Sequence, residues 1–169
     1  MERRTDRIDD VVRAWRRELP DAVGPTTELA SRIMLLSAAL DDVTTRELNK
    51  LKLTVAEYHT LVALRRAGNP FRMRPSQIVN ELPITSGGTS KILKQLSVRG
   101  LVVRRPDEWD GRVTWVQLTD AGLTFSEEVV RNTSAAQQEL FRRLAPETAE
   151  HATHALRELS VSVADRLPV

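Results

Sequence analysis

The residues most suited to chemistry are cations concentrated in the middle of the chain. Residues 60–105 include nine basic side chains and one acidic side chain, Glu81, so this window has a formal charge of +8. The whole 169-residue chain has a net charge of +2, which leaves 16 basic and 22 acidic residues elsewhere. Such a cationic segment is typical of a domain that binds a polyanion. The alternative is a solvated surface of mixed charge, which the nine-to-one ratio disfavours.

A helix predicted from Thr85 or Ser86 to Gly100 lies inside this cationic window. Its buried side is predicted to consist of Thr89, Ile92, Leu93 and Leu96. A helical wheel places small, polar and cationic side chains on the opposite face and its flanks. These residues are Gly87, Gly88, Ser90, Lys91, Lys94, Gln95 and Val98.

This face has the composition of a helix that enters the major groove of DNA. Lys91 and Lys94 have the length and charge to contact phosphates or guanine acceptors, and Ser90 and Gln95 have groups that read base edges. Two glycines at the start of a helix cost about 1 kcal/mol each, a cost that close approach of the backbone to a ligand explains. The alternative is an ordinary surface helix with a glycine-weakened start.

A two-stranded hairpin is predicted after this helix. Residues 101–105 and 113–118 are β-rich runs joined by a polar turn, which indicates a wing. Its charged residues are Arg104, Arg105, Asp110 and Arg112. An arginine such as Arg112, held by the neighbouring Asp110, is suited to enter an adjacent minor groove. Trp109 at the tip is expected to shield the turn rather than to contact DNA.

Shorter elements must hold the cationic helix in place. Pro75 suits the first turn of a helix, and Pro83 stops the short apolar segment that follows. Two helices separated by a few residues, both in the cationic window, indicate a helix-turn-helix. Thr54 and Glu57 have the spacing of a capping box and predict the start of a further helix.

Apolar stripes at helical spacing predict long helices at both ends of the chain. At the N-terminus, Trp15 lies on the apolar side of a helix from about Asp6 to Leu19. Further stripes lie on the next helix and on the helices predicted for 119–144 and 146–166. The stripe of the next helix consists of Leu29, Ile33, Leu36, Leu40 and Val43. The stripe in 119–144 consists of Val129, Ala136, Leu140 and Leu144, and that in 146–166 of Ala152, Leu156, Leu159 and Val163. These stripes suit a helical dimer interface, and core packing within one chain is the alternative.

A family resemblance is carried by residues of the wing and of the segment after it. They are Asp110-Gly111-Arg112, five further residues and Leu118-Thr119-Asp120-Ala121-Gly122. This pattern resembles the D-x-R…L-T-x-x-G signature of the MarR family of winged-helix transcriptional regulators. The segments 74–76, 86–94 and 99–102 fall where that family has its DNA-binding segments. The resemblance implies a mainly α (α+β) fold, a winged helix-turn-helix with long N- and C-terminal dimerisation helices and a two-stranded β-wing.

The resemblance also implies a homodimer that binds a pseudo-palindromic operator in double-stranded DNA and acts as a repressor. The expected parts are N-terminal dimerisation helices (1–53), the winged helix-turn-helix domain (54–118) and C-terminal dimerisation helices (119–169). The expected DNA contacts are Arg74, Ser76, Ser86, Gly87, Gly88, Thr89, Ser90, Lys91, Lys94, Gln95, Arg104, Arg105 and Arg112. The alternatives are a winged-helix module for protein–protein contact and a DNA binder without ligand control.

The extra N-terminal helix is similar to that of the urate-responsive members of the family. Their ligand site uses a tryptophan on this helix, an aspartate near the start of the helix after the capping box, and an arginine on the recognition helix. Trp15 matches the first, whereas His59 and Lys91 stand at the other two positions. A neutral histidine does not replace a carboxylate, and lysine lacks the planar donor fork of arginine. We therefore expect a different small aromatic or carboxylate-bearing effector between the dimerisation helices and the DNA-binding region, with Trp15 as an ordinary core residue the alternative.

Composition and motifs disfavour other functional classes. The chain has no cysteine, which excludes disulfides, thiolate metal sites and thiol nucleophiles. It has no Walker, dinucleotide-binding, G-x-S-x-G or H-E-x-x-H motif, so we expect neither an enzyme nor a cofactor. His151 and His154 have no nearby third ligand, so no metal site is expected. Without an apolar run long enough for a membrane span or signal peptide, a cytoplasmic protein without membrane contact is expected.

Overall fold

The computed structural model describes residues 6–81, 86–107 and 113–164, with only the backbone of Ser86 described. Within these ranges the chain is mainly helical with one small sheet, which confirms the predicted fold class. The helices are α1 (Arg7–Glu18), α2 (Pro25–Lys50), α3 (Val55–Arg66), α4 (Pro75–Glu81), α5 (Ser86–Val98), α6 (Asp120–Leu140) and α7 (Pro146–Ser162), with a 3₁₀ turn at Pro20–Ala22. The strands are β1 (Arg72–Met73), β2 (Val102–Pro106) and β3 (Thr114–Leu118).

The chain forms two compact units, residues 1–43 and 44–169. In the first unit, Arg32 of α2 ties the start of α1 to α2. Its guanidinium lies 3.3 Å from Asp6, 2.8 Å from Asp9 and 2.8 Å from Glu28. Desolvation lowers the pKa of Arg32, but the Asp6, Glu28 and Asp9 carboxylates more than compensate and raise it overall. The guanidinium therefore stays charged and holds three carboxylates together.

The helix-turn-helix in the second unit begins with the capping box at α3, which the structure confirms. Thr54 Oγ1 accepts a hydrogen bond from the Glu57 backbone N–H at 3.2 Å, and Glu57 Oε2 accepts one from the Thr54 N–H at 2.8 Å. Two donors that a helix start leaves free are satisfied in this way, which fixes where α3 begins. Helices α3, α4 and α5 contribute large buried apolar side chains to one core: Leu61, Leu64, Ile78, Leu93 and Leu96.

The wing belongs to a three-stranded antiparallel sheet in the order β1-β3-β2. The predicted hairpin of β2 and β3 is confirmed, with Val103 opposite Gln117 and Arg105 opposite Trp115. A third strand was not predicted: β1 also pairs with β3 and places Arg72 opposite Gln117. A strand of two residues is too short to show an alternation of apolar and polar side chains, so periodicity does not reveal it.

A close backbone contact joins the wing to α6. Thr119 Oγ1 accepts a hydrogen bond from the Gly122 N–H at 2.9 Å, and the same hydroxyl donates to the Gly100 carbonyl oxygen at 2.7 Å. A Cβ built on Gly122 would lie 1.9 Å from the Leu101 carbonyl oxygen. Glycine at this position therefore allows α6 to begin directly against the residue that precedes β2. The L-T-x-x-G pattern thus has a structural reason.

The apolar stripes of the terminal helices are largely exposed in the single chain. In α2, Leu29, Ile33 and Leu36 are 39%, 41% and 51% exposed. No residue of α7 between Pro146 and Ser162 is buried. The helix predicted to reach Leu144 ends at Leu140, and the stripe residues Leu140 and Leu144 are each 40% exposed. Val129 of the α6 stripe packs in the core of one chain, but the exposed stripe residues are not accounted for by packing within the described part of the chain.

We predict that Gly122→Ala lowers the free energy of unfolding, because the added methyl group collides with backbone that positions both α6 and β2. Overpacking of this kind costs about 1–3 kcal/mol. Gly24→Ala is the matched control, since a Cβ at Gly24 meets no atom within 4 Å. Chemical denaturation of both variants measures the effect, and equal unfolding midpoints would contradict the prediction.

Candidate nucleic-acid interface

The helix pair predicted to bind DNA is α4 and α5, and α5 is oriented as the wheel predicts. Its buried side consists of Thr89, Ile92, Leu93 and Leu96, each at most 8% exposed. Its outward side is formed by exposed or half-buried residues: Gly87, Gly88, Ser90, Lys91, Lys94 and Gln95. Packing of one side into the core therefore determines which side is available to a partner.

Thr89 must be removed from the predicted set of DNA contacts. Its side chain is 2% exposed, so the prediction that it contacts DNA was wrong. The reason is its spacing: Thr89 lies three and four residues before Ile92 and Leu93, which places it on the same packed side of the helix. Small polar residues on a buried helix face are poor candidates for base readout.

Part of the predicted wing contact lies outside the described residues. This part includes the predicted wing pair, Asp110 and Arg112, and also Trp109. The side chain of Ser86 is likewise outside the description. Of the two predicted contacts before α5, the side chains of Arg74 and Ser76 are exposed at the start of α4. Their contacts with DNA stay predictions.

The nine cations of residues 60–105 divide into three groups by what they contact. Three arginines are engaged by acceptors within the fold, and two stack on a tryptophan. Four are exposed, and their side chains form no ion pair or hydrogen bond with any described residue. The engaged arginines are Arg65, Arg66 and Arg99. The arginines stacked on tryptophan are Arg72 and Arg74. The four exposed cations are Lys91, Lys94, Arg104 and Arg105. The last group is the positive charge most available to a polyanion.

The engaged arginines hold elements of the second unit together. Arg65 Nη2 lies 2.9 Å from Glu127 Oε1 and so links α3 to α6. Arg66 pairs with Glu81 and links α3 to α4. Arg99, just after α5, donates to two backbone carbonyl oxygens in the turn after α2, at 3.0 and 3.2 Å. Their charge is used by the fold, so counting cations along the sequence overstates the charge available at the surface.

A stack of two arginines on Trp115 extends the cationic surface onto the sheet. The Arg72 guanidinium carbon lies 4.6 Å from the centre of the Trp115 ring, and that of Arg74 lies 5.2 Å from it. Trp115 Nε1 donates a hydrogen bond to Asp107 at 2.5 Å, which fixes the ring. Cation–π contacts hold the guanidinium groups without neutralising them. Arg72 and Trp115 were missing from the sequence prediction, although strand alternation next to the buried Val116 was an available signal.

The three residues predicted for an effector site occur in different units of the chain. Trp15 belongs to the first unit and is 54% exposed, so it is not a core residue of this chain. His59 and Lys91 belong to the second unit and are exposed. His59 borders a pocket of about 90 Å³ together with Arg66 and Glu81, which is below the roughly 300–1,000 Å³ typical of small-molecule sites. A site that combines Trp15, His59 and Lys91 stays a prediction.

The described ranges include neither a cluster of metal ligands nor a helix suited to span a membrane. They contain no group of three or more His, Cys, Asp or Glu side chains placed to hold a metal ion. His154 Nδ1 lies 3.6 Å from Glu158 on the exposed surface of α7. Among the same residues, no helix combines the length and the low polarity needed to cross a bilayer.

Comparison with known proteins identifies the family. A model of the MarR family matches residues 51–113, from the turn after α2 to the residue before β3. The HTH-type transcriptional regulator PecS of Dickeya dadantii (strain 3937) is 36% identical over 151 residues, which are 87% of each chain. The chain belongs to the MarR family. It is a winged-helix, DNA-binding regulator of transcription and not an enzyme.

Solved structures of MarR-family type share the fold. Apo MarR from E. coli matches with a TM-score of 0.69 at 23% identity, covering 81% of this chain and 97% of that one. A mutant MarR from E. coli in complex with operator DNA matches with a TM-score of 0.64 at 22% identity, covering 86% and 96%. NadR in complex with 4-hydroxyphenylacetate matches with a TM-score of 0.61 at 22% identity, covering 78% and 92%.

We predict that Lys91→Ala weakens binding to duplex DNA selected from bound genomic fragments. Loss of one phosphate contact should reduce the slope of log affinity against log salt by about 0.9. Lys50→Ala is the control, because Lys50 pairs with Glu47 at 2.6 Å on α2 rather than projecting from α5. Anisotropy titrations at several salt concentrations measure both slopes. A wild-type slope in Lys91→Ala would show that this residue makes no phosphate contact.

Proposed function

We propose that this MarR-family regulator is a cytoplasmic homodimer that represses transcription from a pseudo-palindromic operator and is released from DNA by a small-molecule effector. The observation that carries the dimer is the exposed apolar surface of the terminal helices. The residues proposed to contact DNA are those predicted above without Thr89. The predicted division of the chain into dimerisation helices (1–53 and 119–169) around a DNA-binding domain (54–118) forms part of the proposal.

The terminal helices support the dimer because they expose large apolar side chains that one chain does not cover. On α2, Met34 and Leu36 are 71% and 51% exposed. On α7, Leu156 and Val161 are 48% and 71% exposed. Large apolar side chains left exposed to this extent mark an interaction site. A second copy of the same chain supplies equally apolar helices to cover it.

The energetics of an isolated helix favour the same conclusion. Helix α7 has 17 residues, none of them buried. Isolated helices of about this length are marginal in water, and most helical stability in proteins comes from packing an apolar face. Apolar surface removed from water contributes about 25 cal/mol per Å². Association of the terminal helices of two chains therefore provides the packing that stabilises α7.

A twofold dimer determines how DNA is read. Two copies of α5 related by a twofold axis require half-sites separated by about one helical turn, roughly 34–36 Å. In each half-site the exposed face of α5 meets the major groove, while Arg104 and Arg105 at the foot of the wing lie towards the adjacent backbone. The structure of a mutant MarR from E. coli with operator DNA supports this mode of binding.

Repression and effector control are supported by related proteins and by side chains of this chain. A solved structure of the Multiple Antibiotic Resistance Repressor MarR matches with a TM-score of 0.68, and NadR was solved with 4-hydroxyphenylacetate. In this chain Trp15 is exposed and offers an aromatic surface for a ligand. The proposed effector is an aromatic or carboxylate-bearing metabolite that binds near Trp15, His59 and Lys91.

We predict that Leu36→Asp and Val161→Asp, each placing a charge in the exposed apolar surface, disrupt the dimer. Sedimentation should then report a particle of one 19.0-kDa chain in place of two. Affinity for the full operator should fall, because a monomer occupies only one half-site. Val55→Asp is the matched control. Val55 is 46% exposed at the start of α3, where a carboxylate is favourable to the helix.

The control variant should remain a dimer and bind DNA like wild type. A wild-type protein that sediments as a single chain and still binds the operator tightly would contradict the proposed assembly. So would a Leu36→Asp, Val161→Asp double variant that remains dimeric.

We predict that an aromatic carboxylate which releases the protein from its operator also changes the fluorescence of Trp15. Effector binding and DNA binding must weaken each other by the same factor, and a change in affinity of about 5–150-fold is typical. Trp15→Phe should retain DNA affinity and lose both the fluorescence change and the release. If Trp15→Phe is released by the same compound at the same concentration, the effector binds elsewhere.

A further inference from the structure

The outer face of the wing sheet carries a cationic pocket. The face turned to the core is marked by Val116, which is fully buried. Because side chains alternate along a strand, Trp115 and Gln117 of β3 lie on the opposite, outer face. The register places Arg105 of β2 opposite Trp115 and Arg72 of β1 opposite Gln117. Two arginines therefore flank β3 on the same outer face.

The pocket on this face has a volume of about 550 Å³. Arg72, Arg105 and Gln117 line it together with two prolines, Pro70 and Pro106. The Gln117 amide is held by a hydrogen bond that its Nε2 donates to the Pro70 carbonyl oxygen at 3.0 Å. Proline restricts the backbone, so the rim of the pocket is stiff on two sides. None of these lining residues is acidic, and two of them are cations.

The guanidinium groups of this pocket have no acceptor among the described residues. Arg105 is exposed, and its side chain forms no ion pair or hydrogen bond with them. Arg72 is half-buried and stacks on Trp115, with 4.6 Å between its guanidinium carbon and the centre of the ring. Stacking uses the flat face of a guanidinium and leaves its N–H edge free for two parallel hydrogen bonds to a phosphate or carboxylate. The pocket therefore presents donors that suit an anion.

Trp115 brings further positive charge to this place. Its Nε1 donates to Asp107 at 2.5 Å, which fixes the ring. The guanidinium carbon of Arg74 lies 5.2 Å from the centre of the same ring, so Arg72 and Arg74 gather on one tryptophan. Neither arginine forms an ion pair with a described carboxylate, and like charges this close repel each other. A ligand that carries several negative charges removes this repulsion.

The surroundings of the pocket indicate which polyanion it suits. Arg74 at the start of α4 and Arg105 at the foot of the wing both belong to the proposed DNA contacts. Arg72 shares Trp115 with Arg74 and shares the pocket with Arg105. The cations thus form a continuous row that extends the proposed interface onto the outer face. A sugar–phosphate chain has negative charges repeated along its length and matches such a row.

We propose that the outer face of the wing sheet binds phosphates of DNA that flanks the operator half-sites. Arg72 and Arg105 donate to these phosphates, and Trp115 holds Arg72 in place. Because Val116 on the other face packs in the same core as Leu93 of α5, the outer face points away from α5 and meets duplex beyond the segment that α5 reads. Phosphate contacts carry no sequence information, so flanking DNA of any sequence suits this site. The inference rests on the proposed function, because it requires a protein that binds an operator.

The test compares two duplexes of different length. The core duplex is the shortest selected duplex that contains both half-sites, and the extended duplex adds about 10 bp, one helical turn, on each side. Anisotropy titrations at several salt concentrations give the slope of log affinity against log salt. Arg72 of each subunit should make the slope for the extended duplex steeper by about 0.9, hence by about 1.8 for a dimer. Two extended duplexes with unrelated flanking sequences should give the same gain.

Variants of Arg72 test its part in this gain. Arg72→Gln should lose the additional slope and bind the extended duplex about tenfold more weakly, as expected when hydrogen bonds to a charged group are lost. It should bind the core duplex like wild type, because Arg72 is not among the contacts proposed there. Arg72→Lys returns the charge and should restore the slope. Arg131→Gln is the matched control, since Arg131 is an exposed arginine of α6 paired with Glu127 at 3.5 Å.

Sodium pyrophosphate separates flanking DNA from a free phosphate compound as the source of the anion. Saturable binding of pyrophosphate, seen by NMR at the amides of Arg72, Arg105 and Gln117, together with equal slopes for the two duplexes, would overturn DNA as the occupant. An Arg72→Gln variant that weakens both duplexes equally would also overturn the inference. A wild-type protein that binds both duplexes with the same slope overturns this inference alone. One that binds neither duplex overturns the proposed function and the inference together.

Discussion

The proposed interface with DNA depends on a division of charge that the fold imposes on its central cations. Some arginines form ion pairs within the fold, as Arg65 does with Glu127. In contrast, Lys91 and Lys94 on α5 are exposed and have no partner among the described residues. Like charges placed this close repel each other, and in the proposed complex DNA phosphates remove the repulsion while bound counterions are released. Packing of the other side of α5, through Leu93 and Leu96, is what keeps the lysines directed outwards.

Two sets of contacts fix the segment that follows the C-terminal end of the recognition helix. After α5, the Thr119 hydroxyl and the absence of a Cβ at Gly122 bring α6 against the start of the wing. Arg99 fastens the end of α5 to the turn after α2. Arg99, Thr119 and Gly122 therefore help to fix where α5 ends and where the wing begins.

Local patterns predicted much of this fold, and long-range contacts account for what they missed. The capping box at Thr54, the packed side of α5 and the β2–β3 hairpin follow from spacing, because each depends on residues close in sequence. The pairing of β1, the stack of Arg72 on Trp115 and the hydrogen bonds of Arg99 join residues some 40 positions apart. No periodicity encodes such contacts, so a sequence shows cations without showing which of them the fold will use.

Hydroxyl-radical footprinting of the wild-type protein on a selected genomic fragment tests the central claim most directly. Two recognition helices related by a twofold axis and held by their terminal helices should protect two patches on one face of the duplex, roughly 34–36 Å apart. Substitution of Lys91 and Lys94 by alanine should remove both patches together. A single protected patch, or two patches that persist in this variant, would contradict a dimer that reads DNA through the cations of α5.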